Sequence, residues 1–405
     1  MKNDFSDLSK QITNNISKED KKKNGIYFTP ITTIKINLEL LKPFISKINS
    51  VLEPSCGSCE FLLQLSNSYP HLQLTGIEKN ESIYHSIKHL ANKNIVIIND
   101  DFLKFNEKKK YDLIIGNPPY FVIKKECVST TYSAYYEGRP NIFILFIIKS
   151  MNLLNVNGIL SFVLPKNFLN CLYYNKTREY ICRDYSILCL KECDDTYIDT
   201  LQSTVIMILK KTKDVSNLND QFVLKKNNHT IFALPESIIK LKSLYESSKT
   251  LSQLDFKITI GNIVWNQNKK ILTTDSEKTL LIYNSDIKDN NLQIQTYKNA
   301  EKKNFINKPG KTKPMLVVNR GYGTGNYKFE YCLITGNKEY LIENHLICIE
   351  YNKSISNDKL LILYKQLISS FNNKKTDDFI KLYFQNNAIN ANELKYILPI
   401  YDIQF

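Results

Sequence analysis

Short apolar, β-branched runs punctuate the first half of the chain at Val51-Leu52, Leu72-Gln-Leu-Thr75, Ile95-Val-Ile-Ile98, Leu113-Ile-Ile115 and Ile159-Leu-Ser-Phe-Val-Leu164. Runs this short and continuous fit strands buried on both faces of a parallel sheet. Between them, residues 61–68, 81–92 and 141–154 have helical length and apolar spacing, and Gly158 tolerates a left-handed cap after the last of these. Strand, helix, strand repeated in this way predicts an open, doubly wound α/β sheet whose ligands lie beyond the C-terminal strand ends. Runs at 186–190 and 203–209 extend the sheet. The polar stretch 210–220 has no periodicity and reads as a linker or surface loop. One helical segment at 236–248 then gives way to strand-like runs separated by Asn, Gly and Lys clusters, which predicts a mixed, β-rich second domain. The expected division is an N-terminal arm over 1–23, the sheet domain over 24–211, a linker over 212–224 and the second domain over 225–405.

Size and charge sharpen this picture. At 405 residues and 43% apolar content the chain suits two or three domains with substantial cores. Its formal charge is +14, of which residues 1–200 carry only +4 and residues 201–405 carry +10, so a polyanionic partner should meet the second half. The longest apolar run, 142–148, is seven residues, far below the roughly 18 needed to cross a bilayer. The first 23 residues lack an apolar core and are rich in both Lys and acids, so neither a secretory signal nor a transit peptide fits. Nine scattered cysteines, one close pair among them and no zinc pattern, suit small buried hydrophobes in a reducing compartment. The expectation is a cytoplasmic protein, nucleoid-associated in a bacterium, with no membrane partner and no metal.

The chemistry concentrates at the predicted strand ends. In Tyr111-Asp-Leu-Ile-Ile-Gly-Asn-Pro-Pro-Tyr120, a buried strand ends at Gly116, and two prolines then freeze the backbone where the active site of such a sheet belongs. The Asn117 side-chain oxygen and the Pro118 carbonyl can both accept from one planar amino group, and Tyr120 offers a flat face for a base. Two fixed acceptors would favour the pyramidal form of a weakly nucleophilic amine and aim its lone pair, which is catalysis by orientation and electrostatics. Upstream, Val51-Leu-Glu-Pro-Ser-Cys-Gly-Ser-Cys-Glu-Phe61 is a strand, a small-residue loop and a helix start, without the pattern of a dinucleotide or triphosphate loop. Glu78 ends the next strand, where an acid can hold ribose hydroxyls. Asp101-Phe102 follows the third with a carboxylate and a ring suited to an adenine.

These ordered segments resemble the motifs of class I S-adenosylmethionine-dependent methyltransferases, and specifically the TaqI-like DNA adenine-N6 methyltransferases of the γ arrangement. The resemblance spans residues 25 to about 210 and implies a Rossmann-like methyltransferase sheet with a C-terminal target-recognition domain. It implies that Gly25-Ile-Tyr-Phe-Thr-Pro30 is the leading motif with Thr29 near the methionine carboxylate. Glu53, Ser55 and Gly57 would line the methionine side, Glu78 would hold the ribose, Asp101 and Phe102 the adenine, and Phe146 of Asn141-Ile-Phe-Ile-Leu-Phe146 would lie by the cofactor. Asn117, Pro118, Tyr120 and Tyr197 would be catalytic, the two tyrosines sandwiching a flipped base. Thr196-Tyr-Ile-Asp-Thr-Leu-Gln-Ser-Thr-Val205 matches in spacing but has Tyr where Phe is usual and Ile198 where Pro is often found.

For the second half, a duplex base must be extruded to reach such a pocket while the backbone is gripped. Arg320 in Arg320-Gly-Tyr-Gly-Thr-Gly325 could read a guanine, with Lys311 and Lys313 on phosphates. Trp265 and His345 read as scaffold. The expected partners are double-stranded DNA and a separate cognate restriction endonuclease acting on the same site, with the chain itself a monomer. Two alternatives use similar chemistry. A protein glutamine methyltransferase usually has an Asp-x-Gly-x-Gly loop and an N-terminal extra domain, unlike this chain, whereas an RNA adenine methyltransferase would suit the same positive charge.

Overall fold

A computed structural model describes residues 5–106, 108–194, 202–212, 219–321, 327–384 and 388–403. The chain folds as two compact units, Met1–Lys225 with His229–Ile238, and Lys226–Asn228 with Ile239–Phe405.

The first unit opens with two helices, α1 (Asp7–Asn15) and α2 (Lys18–Asn24), where the sequence suggested only an arm. Ser6 and Ser17 cap them by accepting from Ser9 and Asp20 N–H groups, and the buried Phe5 and Ile12 fix α1 to the body. Gly25 ends α2 in the left-handed conformation, and a Cβ there would sit 2.9 Å from the Tyr120 backbone nitrogen and from the Phe121 ring. Only glycine allows both that conformation and that approach, so the end of α2 is docked on the Asn117–Tyr120 loop.

After α3 (Ile31–Ile45) come β1 (Ser50–Glu53), α4 (Glu60–Ser68), β2 (Gln73–Glu78), α5 (Glu81–Ile87), β3 (Ile95–Asn99) and β4 (Tyr111–Gly116). Next are α6 (Ile142–Leu153), β5 (Leu154–Pro165), α7 (Asn175–Asp184), β6 (Tyr185–Cys193) and β7 (Thr204–Lys211). They build a seven-stranded sheet in the order β3-β2-β1-β4-β5-β7-β6. Strands β3 through β5 run parallel, whereas β7 is antiparallel to both neighbours. Only residues 194–203 separate β6 from β7, fewer than the dozen or so that a parallel crossover needs. The strand order reverses between β1 and β4, which makes the C-terminal ends of these two strands the topological switch point. Helix α6 is apolar nearly all round because it is buried nearly all round. Pro140 precedes it, and the Asn141 side chain accepts from the Phe143 N–H to start it. The left-handed residue before the main run of β5 is Asn157 rather than Gly158, since an Asn side chain tolerates that conformation. Gly158 instead lets the Asn155 and Tyr111 carbonyls come close, at 2.9 and 3.1 Å from where a Cβ would lie.

The second unit contains a four-stranded antiparallel sheet, Phe256–Ile260, Leu346–Tyr351, Met315–Asn319 and Tyr331–Ile334 in that order. A second sheet orders Leu272–Thr273, Phe305–Ile306, Thr279–Ile282 and Tyr340–Ile342. Helices at Asn357–Phe371, Lys374–Phe379 and Ala391–Tyr396 add a helical element that the sequence reading lacked. Of the cysteines, Cys56, Cys59, Cys332 and Cys348 are buried, four others are half-buried and Cys127 is exposed, so the expected buried role holds for fewer than half. Among the described residues, no helix is long and apolar enough to cross a membrane.

Candidate active site

A cavity of about 710 Å³ opens at the C-terminal ends of β1 to β4, within the usual range for a pocket that encloses a small molecule. Its wall includes Ser55, Gly57, Glu78, Asp101, Phe102, Asn117 and Phe146, seven of the residues singled out from the sequence. They arrive from four strand ends and one helix, as the parallel sheet demands.

The Glu78 carboxylate is the best anchored group in this wall. Its Oε2 accepts from Gly57 N–H at 2.9 Å and its Oε1 from Asn80 N–H at 2.7 Å, while Asn99 Nδ2 donates to the Glu78 carbonyl at 2.8 Å. Burial pushes its pKa up, and the N–H donors oppose that. Each carboxylate oxygen keeps a further lone pair, enough to receive a vicinal diol. Glu53 lies deeper, against the Gly116 turn, and is not part of the cavity wall. Burial raises its pKa well above the usual carboxylate range, with the Cys59, Glu60 and Glu78 charges pushing the same way. Among the described residues its Oε2 has no hydrogen-bond partner.

Beyond β3, Asp101 Oδ1 accepts from Leu103 N–H at 3.0 Å, and its Oδ2 pairs with the exposed Lys79 ammonium at 3.0 Å. The Phe102 and Phe146 rings meet at 5.0 Å with a 43° tilt, forming an aromatic corner of the cavity.

The Asn117 amide is held from two sides. Its Nδ2 donates to the Thr29 hydroxyl at 3.0 Å, and its Oδ1 accepts from the Tyr120 hydroxyl. That hydroxyl also reaches the Val163 carbonyl at 2.7 Å but has one proton to give, so it can release Asn117 and keep Val163. Ser55 Oγ donates to the Asn117 carbonyl at 3.3 Å, tying the β1 loop to the β4 loop. Alternate residues Asn117, Pro119 and Phe121 line the cavity, while Pro118 and Tyr120 do not. Tyr120 packs edge-on against Phe143 at 5.9 Å.

Thr29 is almost fully buried and does not line the cavity, so its hydroxyl serves Asn117. Tyr197 lies outside the described residues. In the second unit, the three basic residues are not brought together. Lys311 and Lys313 precede the strand Met315–Asn319 and Arg320 follows it, and the strand alone spans about 16 Å at its usual rise per residue. Lys311 is paired with Glu350 at 3.2 Å. His345 instead neighbours Arg320: its carbonyl accepts from the Arg320 N–H at 3.4 Å, and its Nδ1 lies 2.5 Å from the buried Glu343 carboxylate. The sequence reading also missed Phe28, Asn80, Pro119, Phe121, Tyr132 and Leu145 of the cavity wall. Phe28, Pro119 and Phe121 lie in or beside the quoted motifs and could have been found there; Tyr132 had no such signal. Among the described residues no cluster of three or more His, Cys, Asp or Glu side chains is disposed to hold a metal ion.

Comparison with known proteins agrees with this geometry. A family model described as the Eco57I restriction-modification methylase matches residues 24–198. The type II methyltransferase M.CvrRI of Paramecium bursaria Chlorella virus XZ-6E is 26% identical over 401 residues, covering 98% of this chain and 99% of that protein. The modification methylase CviBIII of Paramecium bursaria Chlorella virus NC1A is 25% identical, covering 97% and 98%. A solved class I S-adenosylmethionine-dependent methyltransferase from Listeria monocytogenes shares 21% identity at a TM-score of 0.44, covering 52% of this chain and 66% of that one. By its strand order the first unit is a doubly wound, Rossmann-like α/β sheet. The sequence likenesses support a methyltransferase of the restriction-modification type, and S-adenosylmethionine is the cofactor such an enzyme would take. The cavity fits that molecule by its groups: a fixed carboxylate for a diol and an aromatic corner for a purine.

Proposed function

We propose that the chain is a site-specific DNA methyltransferase that methylates adenine N6 in a short duplex sequence after extruding the base. The observation that carries this reading is the Asn117 amide, fixed by Thr29 and Tyr120 at the rim of the cavity. Whole-length likeness to two viral modification methylases supports DNA as the substrate class, and the +14 charge suits it.

In this reading S-adenosylmethionine supplies an electrophilic methyl group carried on sulfur. Glu78 holds the ribose hydroxyls, Phe102 and Phe146 hold the adenine ring, Asp101 accepts from its amino group, and Ser55 and Gly57 line the methionine side. Asn117 Oδ1 and the Pro118 carbonyl accept the two N–H groups of the target amine. Its lone pair, otherwise delocalised into the ring, is thereby turned towards the methyl group; as the new nitrogen–carbon bond forms, the carbon–sulfur bond would break to leave a neutral thioether, and the amine's surplus proton would pass to solvent. The Tyr120 hydroxyl yields Asn117 Oδ1 to the entering amine and retains Val163, so no donor is stranded when the base arrives. Thr29 keeps the amide from rotating, so that oxygen and not nitrogen faces the amine. Tyr120, which lies outside the cavity wall before the base enters, is proposed for one face of the base and Tyr197 for the other. Arg320 reads a base edge, and Lys311 and Lys313 hold phosphates on the far side of their strand. A separate endonuclease cutting the same unmethylated sequence, and a cytoplasmic, monomeric enzyme, complete the proposal.

The test supplies labelled S-adenosylmethionine with duplex DNA, RNA or protein as acceptor. Label in duplex DNA, recovered as N6-methyladenine, is expected. Label confined to RNA or to glutamine side chains would overturn the reading.

A further inference from the structure

Helix α6 presents one lysine in an otherwise apolar sequence, Ile142-Phe-Ile-Leu-Phe-Ile-Ile-Lys149. Its ammonium donates to two backbone carbonyls, those of Phe102 and, at 2.6 Å, Phe105. It also lies 5.0 Å from the centre of the Phe102 ring. The segment it reaches is a single tight turn: the N–H groups of Lys104 and Phe105 both donate to the Asp101 carbonyl at 2.8 Å, and the Asp101 side chain accepts from Leu103. A lone turn leaves its last carbonyls without helical donors. Lys149 supplies them, and Phe146, one turn earlier on the same helix, holds the Phe102 ring from the side.

We infer that Lys149 is a positioning residue for the adenine end of the cofactor site, acting through the backbone of residues 102–105 and the Phe102 ring. Lysine is costly at this place. Burial pulls its pKa below the ordinary value, with Asp101 and Asp100 opposing. A methionine would fill the same space in the helix without that penalty. The two carbonyls account for what methionine would lose. The inference rests on the placement of the cofactor adenine against Phe102 proposed above, and it is independent of which molecule accepts the methyl group.

Lys149→Met should weaken S-adenosylhomocysteine binding, measured by calorimetry, by about 10- to 100-fold, the size expected for losing charge-assisted hydrogen bonds. Free adenosine, as a competitor, should lose affinity by a similar factor, because the defect lies at its end of the site. At saturating cofactor, kcat should stay within about threefold while the cofactor KM rises with the Kd. Lys149→Arg, which keeps the charge and the donors, should restore the Kd to within about fivefold of the wild type. Lys149→Gln carries the same binding test if Lys149→Met does not fold, with a weakening of about fivefold or more expected for the lost charge. A folded Lys149→Met or Lys149→Gln protein with an unchanged Kd, or a loss confined to kcat, would overturn the inference. Phe102→Ala separates the two failures. If it leaves the S-adenosylhomocysteine Kd unchanged, the adenine placement itself is wrong. If it weakens binding while the Lys149 variants do not, only the role of Lys149 falls.

Discussion

Thr29→Val removes one hydroxyl from a nearly isosteric side chain and asks what that hydroxyl does. Resemblance alone puts Thr29 beside the methionine carboxylate, whereas in the structure it is 8% exposed and takes a hydrogen bond from Asn117 Nδ2 at 3.0 Å. Valine would leave that N–H without its acceptor, which costs about 1–3 kcal/mol for a buried group. The amide could recover part of this by rotating, but rotation would present nitrogen to the target amine and lose the acceptor. If the loss falls on the transition state, kcat should drop about 5- to 150-fold. The assay pairs initial rates on duplex DNA at saturating cofactor with the S-adenosylhomocysteine Kd from calorimetry. The Kd should change less than about threefold, since the hydroxyl does not face the cavity. Thr29→Ser should recover most of the rate. An unchanged kcat would refute the positioning role. A Kd raised about tenfold or more with kcat retained would return Thr29 to the cofactor carboxylate.

Two further outcomes follow from the same site. Glu78 binds a ribose only as the carboxylate, and burial raises its pKa, so cofactor affinity should be full at high pH. It should fall as pH drops through a value above that of an ordinary glutamate, and Glu78→Gln should be weaker at high pH with a flatter profile; a wild-type profile as flat as that of Glu78→Gln would contradict the role. Gly25→Ala should lower the melting temperature and kcat together, because its Cβ would press on the Tyr120 nitrogen from a left-handed backbone. The conformational part alone is worth about 1–2 kcal/mol, and an unchanged melting temperature would show that the α2 end is not docked as described.

Much of the first unit is legible in the sequence because parallel strands buried on both faces leave unbroken apolar runs. Val51-Leu52 and Leu113-Ile-Ile115 became β1 and β4 for that reason, and the residues that follow them had to lie at one edge of the sheet. Glu78, Asn117 and Phe102 reached one cavity on that logic. The N-terminal helices were obscured by their own charge: Lys21, Lys22 and Lys23 suggested a solvated arm, although Ser6 and Ser17 stand at cap positions. The C-terminal helix Asn357–Phe371 was readable in its buried Leu360, Leu363, Tyr364, Leu367 and Phe371 spacing. It was overlooked among short strands. Arg320 stands apart from Lys311 and Lys313 because nearness in sequence becomes distance along an extended strand. Neither the Thr29–Asn117 bond nor the reach of Lys149 could be read, since both join segments that only the folded sheet brings together.

The central claim is that this chain marks adenine in DNA through Asn117. Genomic DNA from otherwise methylation-free cells expressing the wild-type chain or Asn117→Ala should be sequenced by a method that detects N6-methyladenine. The account predicts one short motif methylated at adenine in the wild type and none in Asn117→Ala, with S-adenosylhomocysteine still bound by the purified variant. Unmethylated DNA from cells holding folded, cofactor-binding wild-type protein would contradict it, as would the same motif methylated in Asn117→Ala.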